Sequence, residues 1–243
     1  MQYWGITDPG CVRAQNQDAY QIEQLGKNTL LCVICDGMGG AKSGNIASTL
    51  AIDVFVQEVR RSWSADMDQD AVDQMLQGAV KLANFTVYDQ SRQLEEFEGM
   101  GTTLVACLAY PAATLILNIG DSRAYHIDAD GIRRITTDHS VVELMVIRGE
   151  LTAEQAKTHP SKNLITRAVG TAKQVLADAF HLHTRTGESI LLCSDGLSNQ
   201  MSDQEILFEV AHGAEKEDCC QRLMEIAKDR GAPDNVTAIL IAL

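Results

Sequence analysis

Residues 103–120, TLVACLAYPAATLILNIG, decide how the rest of the chain is read. They lie inside a longer run, 99–120, that carries no charged residue, so a membrane span has to be weighed first. A span fits poorly, because the run also holds Gly101, Thr102, Thr103, Tyr110, Pro111, Thr114 and Asn118. TLVACLA and TLILNIG on either side of Tyr110-Pro111-Ala112-Ala113 read instead as a β-hairpin.

Outward from that hairpin, short apolar runs predict further strands at 3–7, 19–23, 29–35, 124–127, 175–183, 189–193 and 236–242. Helical periodicity covers 44–61 and 70–94. Later helices are marked by capping boxes: Ser140 with Glu143, Thr152 with Gln155 and Ser202 with Glu205. A last helix, 217–229, is stopped by Gly231-Ala232-Pro233. Two long helices follow the first strands, and hairpins rather than alternating βα units follow the helices. That order predicts an α+β fold in which two antiparallel sheets pack face to face with helices outside. No Gly/Ser linker, charge block or repeat divides the chain, so 1–243 reads as one domain.

Composition excludes several classes. Of 243 residues, 45% are hydrophobic and 22% charged, which rules out disorder. The 33 acidic against 20 basic residues give a net charge of −13, and no basic tract offers phosphate contacts to a nucleic acid. Seven cysteines stand mostly in apolar runs, where Cys acts as a small hydrophobe. Cys32 and Cys35 have a CxxC spacing, but on a strand they face opposite sides and cannot converge on a metal. The start, MQYWGITDPG, lacks the basic and apolar parts of a signal peptide, so a reduced cytoplasmic setting is expected.

The chemistry-bearing pattern is an Asp at the end of an apolar strand, beside Gly. It occurs as LLCVIC-Asp36-Gly37, as LILNIG-Asp121 and as ILLCS-Asp195-Gly196, and a further acidic turn, Pro233-Asp234-Asn235, precedes the last strand. Any one of these is good turn chemistry alone. Together they predict a rim of carboxylates, which repel one another unless a cation neutralises them. Oxygen ligands suit Mg²⁺ or Mn²⁺.

Eight segments, TDPGCVRAQNQDAY, CDGMGG, MGTTL, NIGDSRAY, TTDHSVV, GELTAEQAKTHPSKNLITRAVG, LLCSDGLSN and APDNVTAI, resemble in content and order the bacterial metal-dependent PPM/PP2C protein phosphatases. The resemblance runs over nearly the whole chain. It implies a four-layer α-β-β-α sandwich and hydrolysis of phosphoserine and phosphothreonine in proteins. By that resemblance Asp36 bridges two Mn²⁺ or Mg²⁺ ions, with the Gly37 carbonyl on one of them. Asp195 and Asp234 hold the other, and Asp121 shares a third ion with Asp195. Arg13 binds the phosphate, and Asp18 holds metal-bound water. Paired divalent ions cancel the charge of a phosphomonoester and acidify the water that attacks it. A guanidinium forks onto two phosphate oxygens as Lys cannot. The partners implied are phosphorylated proteins and a bacterial serine/threonine kinase pathway, with the chain a monomer and no membrane or nucleic acid involved.

The sequence departs from the pattern at two places. Gln17 stands where the family has Glu, which predicts a weakly held second metal, and Met38 stands where eukaryotic members have a His acid. Residues 143–167 resemble the family's flap, with a polar tip at Arg148-Gly149 that reads as a substrate-selecting element or a surface insertion. His139 reads as support for the start of a helix, and His181 with His183 as a solvated strand face. Asn235-Val236-Thr237 matches a glycosylation sequon that means little without a secretory signal. The readings that compete with a phosphoprotein phosphatase are a non-catalytic phosphoprotein-binding module on the same fold and a small-molecule phosphomonoesterase.

Overall fold

In the computed structural model, residues 1–39, 43–111, 113–213 and 215–243 are described. Gly40 and Ala41 of the CDGMGG region, and Ala112 of the predicted hairpin turn, lie outside them. The chain opens with strands β1 (Gln2–Asp8), β2 (Asp18–Gly26) and β3 (Thr29–Met38). Helices α1 (Gly44–Ser62) and α2 (Gln69–Ser91) follow. Next come β4 (Gly101–Thr102), β5 (Leu104–Tyr110), β6 (Ala113–Ile119), β7 (Arg123–Asp128) and β8 (Gly131–Arg134). After them stand α3 (Val141–Ile147), α4 (Ala153–Thr158), β9 (Asp178–Leu182) and β10 (Ser189–Cys193). The chain closes with α5 (Asp195–Ser198), α6 (Asp203–His212), α7 (Cys219–Asp229) and β11 (Val236–Ala242).

One sheet has the order β1-β11-β10-β7-β8. The other runs β2-β3-β5-β6-β9, with β4 paired to β3. Every pairing is antiparallel. The 103–120 hairpin forms as expected, with Tyr110 paired to Ala113 at its tip.

The inner strands β3, β5, β6, β10 and β11 read as nearly unbroken apolar runs because both of their faces are buried. Along β3, Leu31, Val33 and Cys35 pack under α1 and α2, while Leu30, Cys32 and Ile34 point into the space between the sheets. Along β11, Val236, Ala238 and Leu240 pack under α5–α7, while Ile239 and Ile241 point between the sheets. The result is four layers, helix-sheet-sheet-helix, with three apolar interfaces. Cys32 and Cys35 lie on opposite faces of β3, and all seven cysteines are free thiols, with Cys11 exposed.

Some expectations needed adjustment. Strand 175–183 shortens to Asp178–Leu182, and the predicted 217–229 helix starts only at Cys219. Thr152 and Ser202 form reciprocal capping boxes, but Ser140 forms only half of one. Its partner Glu143 instead accepts from Arg134 Nη2 at 3.0 Å. Ser140 also bridges Ile165, and Val141 N donates to the Leu164 carbonyl. Those contacts cinch the base of the segment that carries α3 and α4. Among the described residues, no helix is long and apolar enough to cross a membrane.

Candidate metal centre

Asp18 and Asp36 are direct partners in the β2–β3 ladder, so their side chains share a sheet face. Asp36 follows Ile34 by two residues and therefore continues the inter-sheet face to its open end. Asp18 Oδ2 accepts from Ser194 Oγ at 2.7 Å and from Thr237 Oγ1 at 2.6 Å, both in the opposite sheet's segments. The Thr237 hydroxyl has one proton and gives it to Asp18, so Thr7 must donate to Thr237 across their 2.7 Å contact. Asn16 Nδ2 in turn donates to Thr7 at 2.8 Å. This relay holds the two sheets together at one rim.

The Asp36 main chain is fixed as firmly. Its N–H donates to Thr103 Oγ1, and its carbonyl accepts from Thr102 Oγ1 and Thr103 N, each at 2.9 Å. Thr103 Oγ1 also bonds Ser122 Oγ at 2.8 Å, which ties the strand end to the Asp121 loop. Gly37 N–H donates to the Gln17 carbonyl at 3.1 Å.

Asp195 opens α5 directly after β10, and its Oδ2 accepts from Asn199 Nδ2 at 3.0 Å. Gly196 sits so close to the turn before β11 that an added Cβ would overlap the Asn235 carbonyl oxygen. Asn235 is buried and not a glycosylation site in this fold. Its Oδ1 accepts from Gln17 N, and its Nδ2 donates to the Pro9 and Gln15 carbonyls. That clasp brings the 9–17 loop over Asp234, and Arg13 Nη2 meets Asp234 Oδ2 at 2.9 Å. Arg13 remains half exposed, with its guanidinium at the mouth of the rim.

The electrostatics follow from crowding acids in a dry place. Burial pushes the Asp36 carboxyl well above its ordinary range, and the charges of Asp18, Asp195, Asp121 and Asp234 push it further. Burial and Asp195 raise Asp121 to about 8. Burial raises Asp18 to about 6 against its two hydroxyl donors, and burial and Asp234 raise Asp195. Two buried oxygens, Asp18 Oδ1 and Asp195 Oδ1, have no hydrogen-bond partner. Orphaned anionic oxygens of this kind fit a hard divalent cation, and the donor set of carboxylates and a backbone carbonyl suits Mg²⁺ or Mn²⁺.

Asp18, Asp36, Asp121, Asp195, Asp234 and Arg13 thus lie together at one rim. Arg148 and Gly149 stand apart. They end α3 with main-chain bonds back to Leu144 and Val146, and both are exposed. His139 directly precedes Ser140, the cap of α3, and braces that entry. Its Nδ1 accepts from Gly120 N at 3.0 Å, so Nε2 carries the proton toward Asp178 Oδ2 at 3.1 Å. His181 and His183 are both exposed, as expected of a solvated strand face, and His181 also bonds Gln69 and Asp73 of α2 at that surface. Sequence reading gave no role to Thr102, Thr103, Ser122, Ser194 or Thr237. Ser122 and Ser194 stand directly beside Asp121 and Asp195, which is a local signal, whereas Thr102, Thr103 and Thr237 are distant in sequence from the aspartates they bond.

The residues 12–240 match the family model described as protein phosphatase 2C. The chain is 32% identical over 97% of its length to the serine/threonine phosphatase stp of Listeria monocytogenes serotype 4b, covering 93% of that protein. The crystal structure of serine/threonine phosphatase Stp1 from Staphylococcus aureus superposes with a TM-score of 0.90 at 38% identity, over 100% of this chain and 94% of that one. The catalytic domain of serine threonine protein phosphatase PstP in complex with two manganese ions gives 0.84 at 33% identity, over 98% and 96%.

Proposed function

The chain belongs to the protein phosphatase 2C family of metal-dependent serine/threonine phosphatases, and from that premise we propose a role for each residue of the rim. Asp36, the Gly37 carbonyl, Asp195 and Asp234 hold a pair of Mn²⁺ or Mg²⁺ ions, and Asp121 with Asp195 offers the place for a third. Bound there, divalent cations supply Lewis acidity, offsetting phosphoryl charge and acidifying water. The remaining work falls to the protein. Arg13, steadied by Asp234, forks onto phosphoryl oxygens at the mouth of the site. Asp18, anchored through Oδ2 by Ser194 and Thr237, keeps Oδ1 free to orient a water inside the rim. The threonine clamp on Asp36 prevents its strand end from yielding to the repulsion among the acids.

The substrate class is phosphoserine and phosphothreonine in proteins. The single observation that carries this reading is the convergence of five strand-end and turn aspartates, two with orphaned buried oxygens, beside one arginine. Residues 1–243 act as one catalytic domain, with 143–167 as a flap whose Arg148-Gly149 tip meets the protein substrate. A bacterial serine/threonine kinase pathway as counterpart, a cytoplasmic setting and a monomeric chain belong to the same reading, of which the relatives support the bacterial phosphatase part. Turnover of a phosphothreonine peptide and of an aryl phosphate is compared with Mn²⁺ and with EDTA. Hydrolysis of both with Mn²⁺, abolished by EDTA, is expected. Binding of the peptide without hydrolysis would overturn the enzymatic reading, and hydrolysis of the aryl phosphate alone would overturn the protein substrate.

A further inference from the structure

At the far end of the sandwich a second group of ligand-type side chains meets. His126 and Asp128 lie two residues apart on β7 and so share one face. Ser189 pairs with Ile127 and Ile190 with His126, which puts Glu188, just before β10, on that same face. The face is the one between the sheets, because Ala124 and Ile190 belong to the inter-sheet layer. Arg123, at the other end of β7, pairs with Cys193 next to Asp195. Five residues of strand therefore separate the group from the carboxylate rim, roughly 17 Å.

The geometry is that of a ligand set. His126 is buried, its Nε2 shares a hydrogen bond with Glu188 Oε2 at 2.8 Å, and its Nδ1 lies 3.7 Å from Asp128 Oδ2; a cation would take one of the two ring nitrogens. One ligand atom from each residue can be chosen so that all lie within 4.8 Å of one another. Donors about 2.1 Å from a shared cation lie about 3–4.2 Å apart, so small side-chain rotations suffice to seat an ion. The carboxylates are already oriented. Asp130 N–H donates to Asp128 Oδ1 at 2.8 Å, and Arg185 N–H to Glu188 Oε2 at 3.0 Å. These contacts leave Asp128 Oδ2 and Glu188 Oε1 for a ligand. A cavity of about 530 Å³ opens in front of the group, lined also by His183 from the other sheet. Arg133 and Arg185 line it as well, so the site is not an unbalanced acidic patch. His183, one residue past the end of β9, thus faces this cavity while His181 faces α2.

We propose that His126, Asp128 and Glu188 form a second cation site, for a divalent first-row transition ion such as Zn²⁺, remote from the carboxylate centre. One imidazole with two carboxylates suits Zn²⁺ better than Mg²⁺, the reverse of the all-oxygen rim. The two centres therefore discriminate by ligand chemistry. The ion joins β7 to the segment entering β10, two elements that also lead back to Arg123 and Asp195.

The test is equilibrium dialysis of the full chain against Zn²⁺ in saturating Mg²⁺, which fills oxygen-only sites and competes poorly for imidazole. Wild type is expected to retain about one Zn²⁺ per chain. His126→Gln and Glu188→Gln should each weaken that binding at least about tenfold, leaving Mg²⁺-dependent aryl phosphate turnover unchanged. Asp128→Asn, at a half-exposed strand end, provides the same readout should the buried His126 substitution fail to fold. Zinc binding that is absent in wild type, or equally strong in Glu188→Gln and Asp128→Asn, would overturn the proposal.

Discussion

The Asp18 carboxylate of one sheet accepts both of its hydrogen bonds from the other, through Ser194 and Thr237, while standing opposite Asp36 in its own. The rim is thus a joint between sheets as well as a set of ligands. A substitution there acts on both stability and chemistry, and where the cost of burial outweighs the hydrogen bonds the two effects oppose.

Asp36 illustrates the opposition. It is buried among four other acids, and burial is the largest cause of its raised pKa. Asp36→Ala should reduce Mn²⁺-dependent turnover by about a thousandfold or more, since the transition-state charge loses its main counterweight. The same variant in EDTA should melt no lower than wild type, because a costly buried carboxyl is removed. Near-normal turnover would refute its proposed role as a metal ligand.

Asp18→Asn keeps the shape but replaces one carboxylate oxygen with an NH₂ donor. Oδ1 can still accept from Ser194 and Thr237, which turns the amide nitrogen toward the position of the orphaned oxygen. The metal concentration for half-maximal activity should rise about tenfold. A Mn²⁺ titration curve that overlays wild type would dismiss the water-orienting role.

The chelated protein should lose stability with rising pH. Asp18 is raised from 3.8 to about 6, and Asp121 from 3.8 to about 8, each chiefly by burial. The folded state therefore holds protons that the unfolded chain releases, so this contribution is complete below about pH 4 and disappears between about 4 and 8. In EDTA the melting temperature should fall from pH 5 to pH 8.5, and added Mn²⁺ should flatten or reverse that slope. A melting temperature in EDTA that holds constant or climbs across this window would show that the rim acids are not protonated at low pH.

Much of this was legible in the residues. Strands buried on both faces must be apolar throughout, and an Asp at the end of such a run stands at a sheet rim, so Asp36, Asp121 and Asp195 could be picked out early. Which way the surrounding side chains bond could not be read. Glu143 has the spacing for a capping box yet bonds Arg134, because β8 runs beside it. Asn235 looks like a sequon residue and is a clasp for the 9–17 loop. β8, four residues long, and α5, a single turn, are too short to carry a period. Each of these depends on a partner distant in sequence, which local spacing does not encode.

His139 tests how strongly the Asp121 loop depends on such a partner. Gly120 has φ of 106°, a left-handed conformation that favours glycine, and it exchanges two hydrogen bonds with His139. Burial lowers the His139 pKa despite Asp178, which keeps Nδ1 unprotonated and able to accept. His139→Phe leaves the Gly120 N–H without its acceptor and should cost about 1–3 kcal/mol in denaturant unfolding. An unchanged unfolding midpoint would show that the loop holds itself.

The flap yields the sharpest test of substrate choice. Its base is fixed by the Ser140–Ile165 bridge, while Leu144, Ile147 and Leu164 are exposed near it. In the proposed flap reading, exposed apolar side chains beside a polar Arg148-Gly149 tip offer a protein chain contacts that a small aryl phosphate does not need. Replacing 146–153 with an unrelated sequence of the same length should therefore lower kcat/KM for a phosphothreonine peptide about five- to tenfold, the equivalent of about 1–1.4 kcal/mol of binding. Aryl phosphate turnover should stay within about twofold, because the rim and Arg13 are untouched. If both activities fall in proportion, the flap supports the metal centre and does not select the substrate.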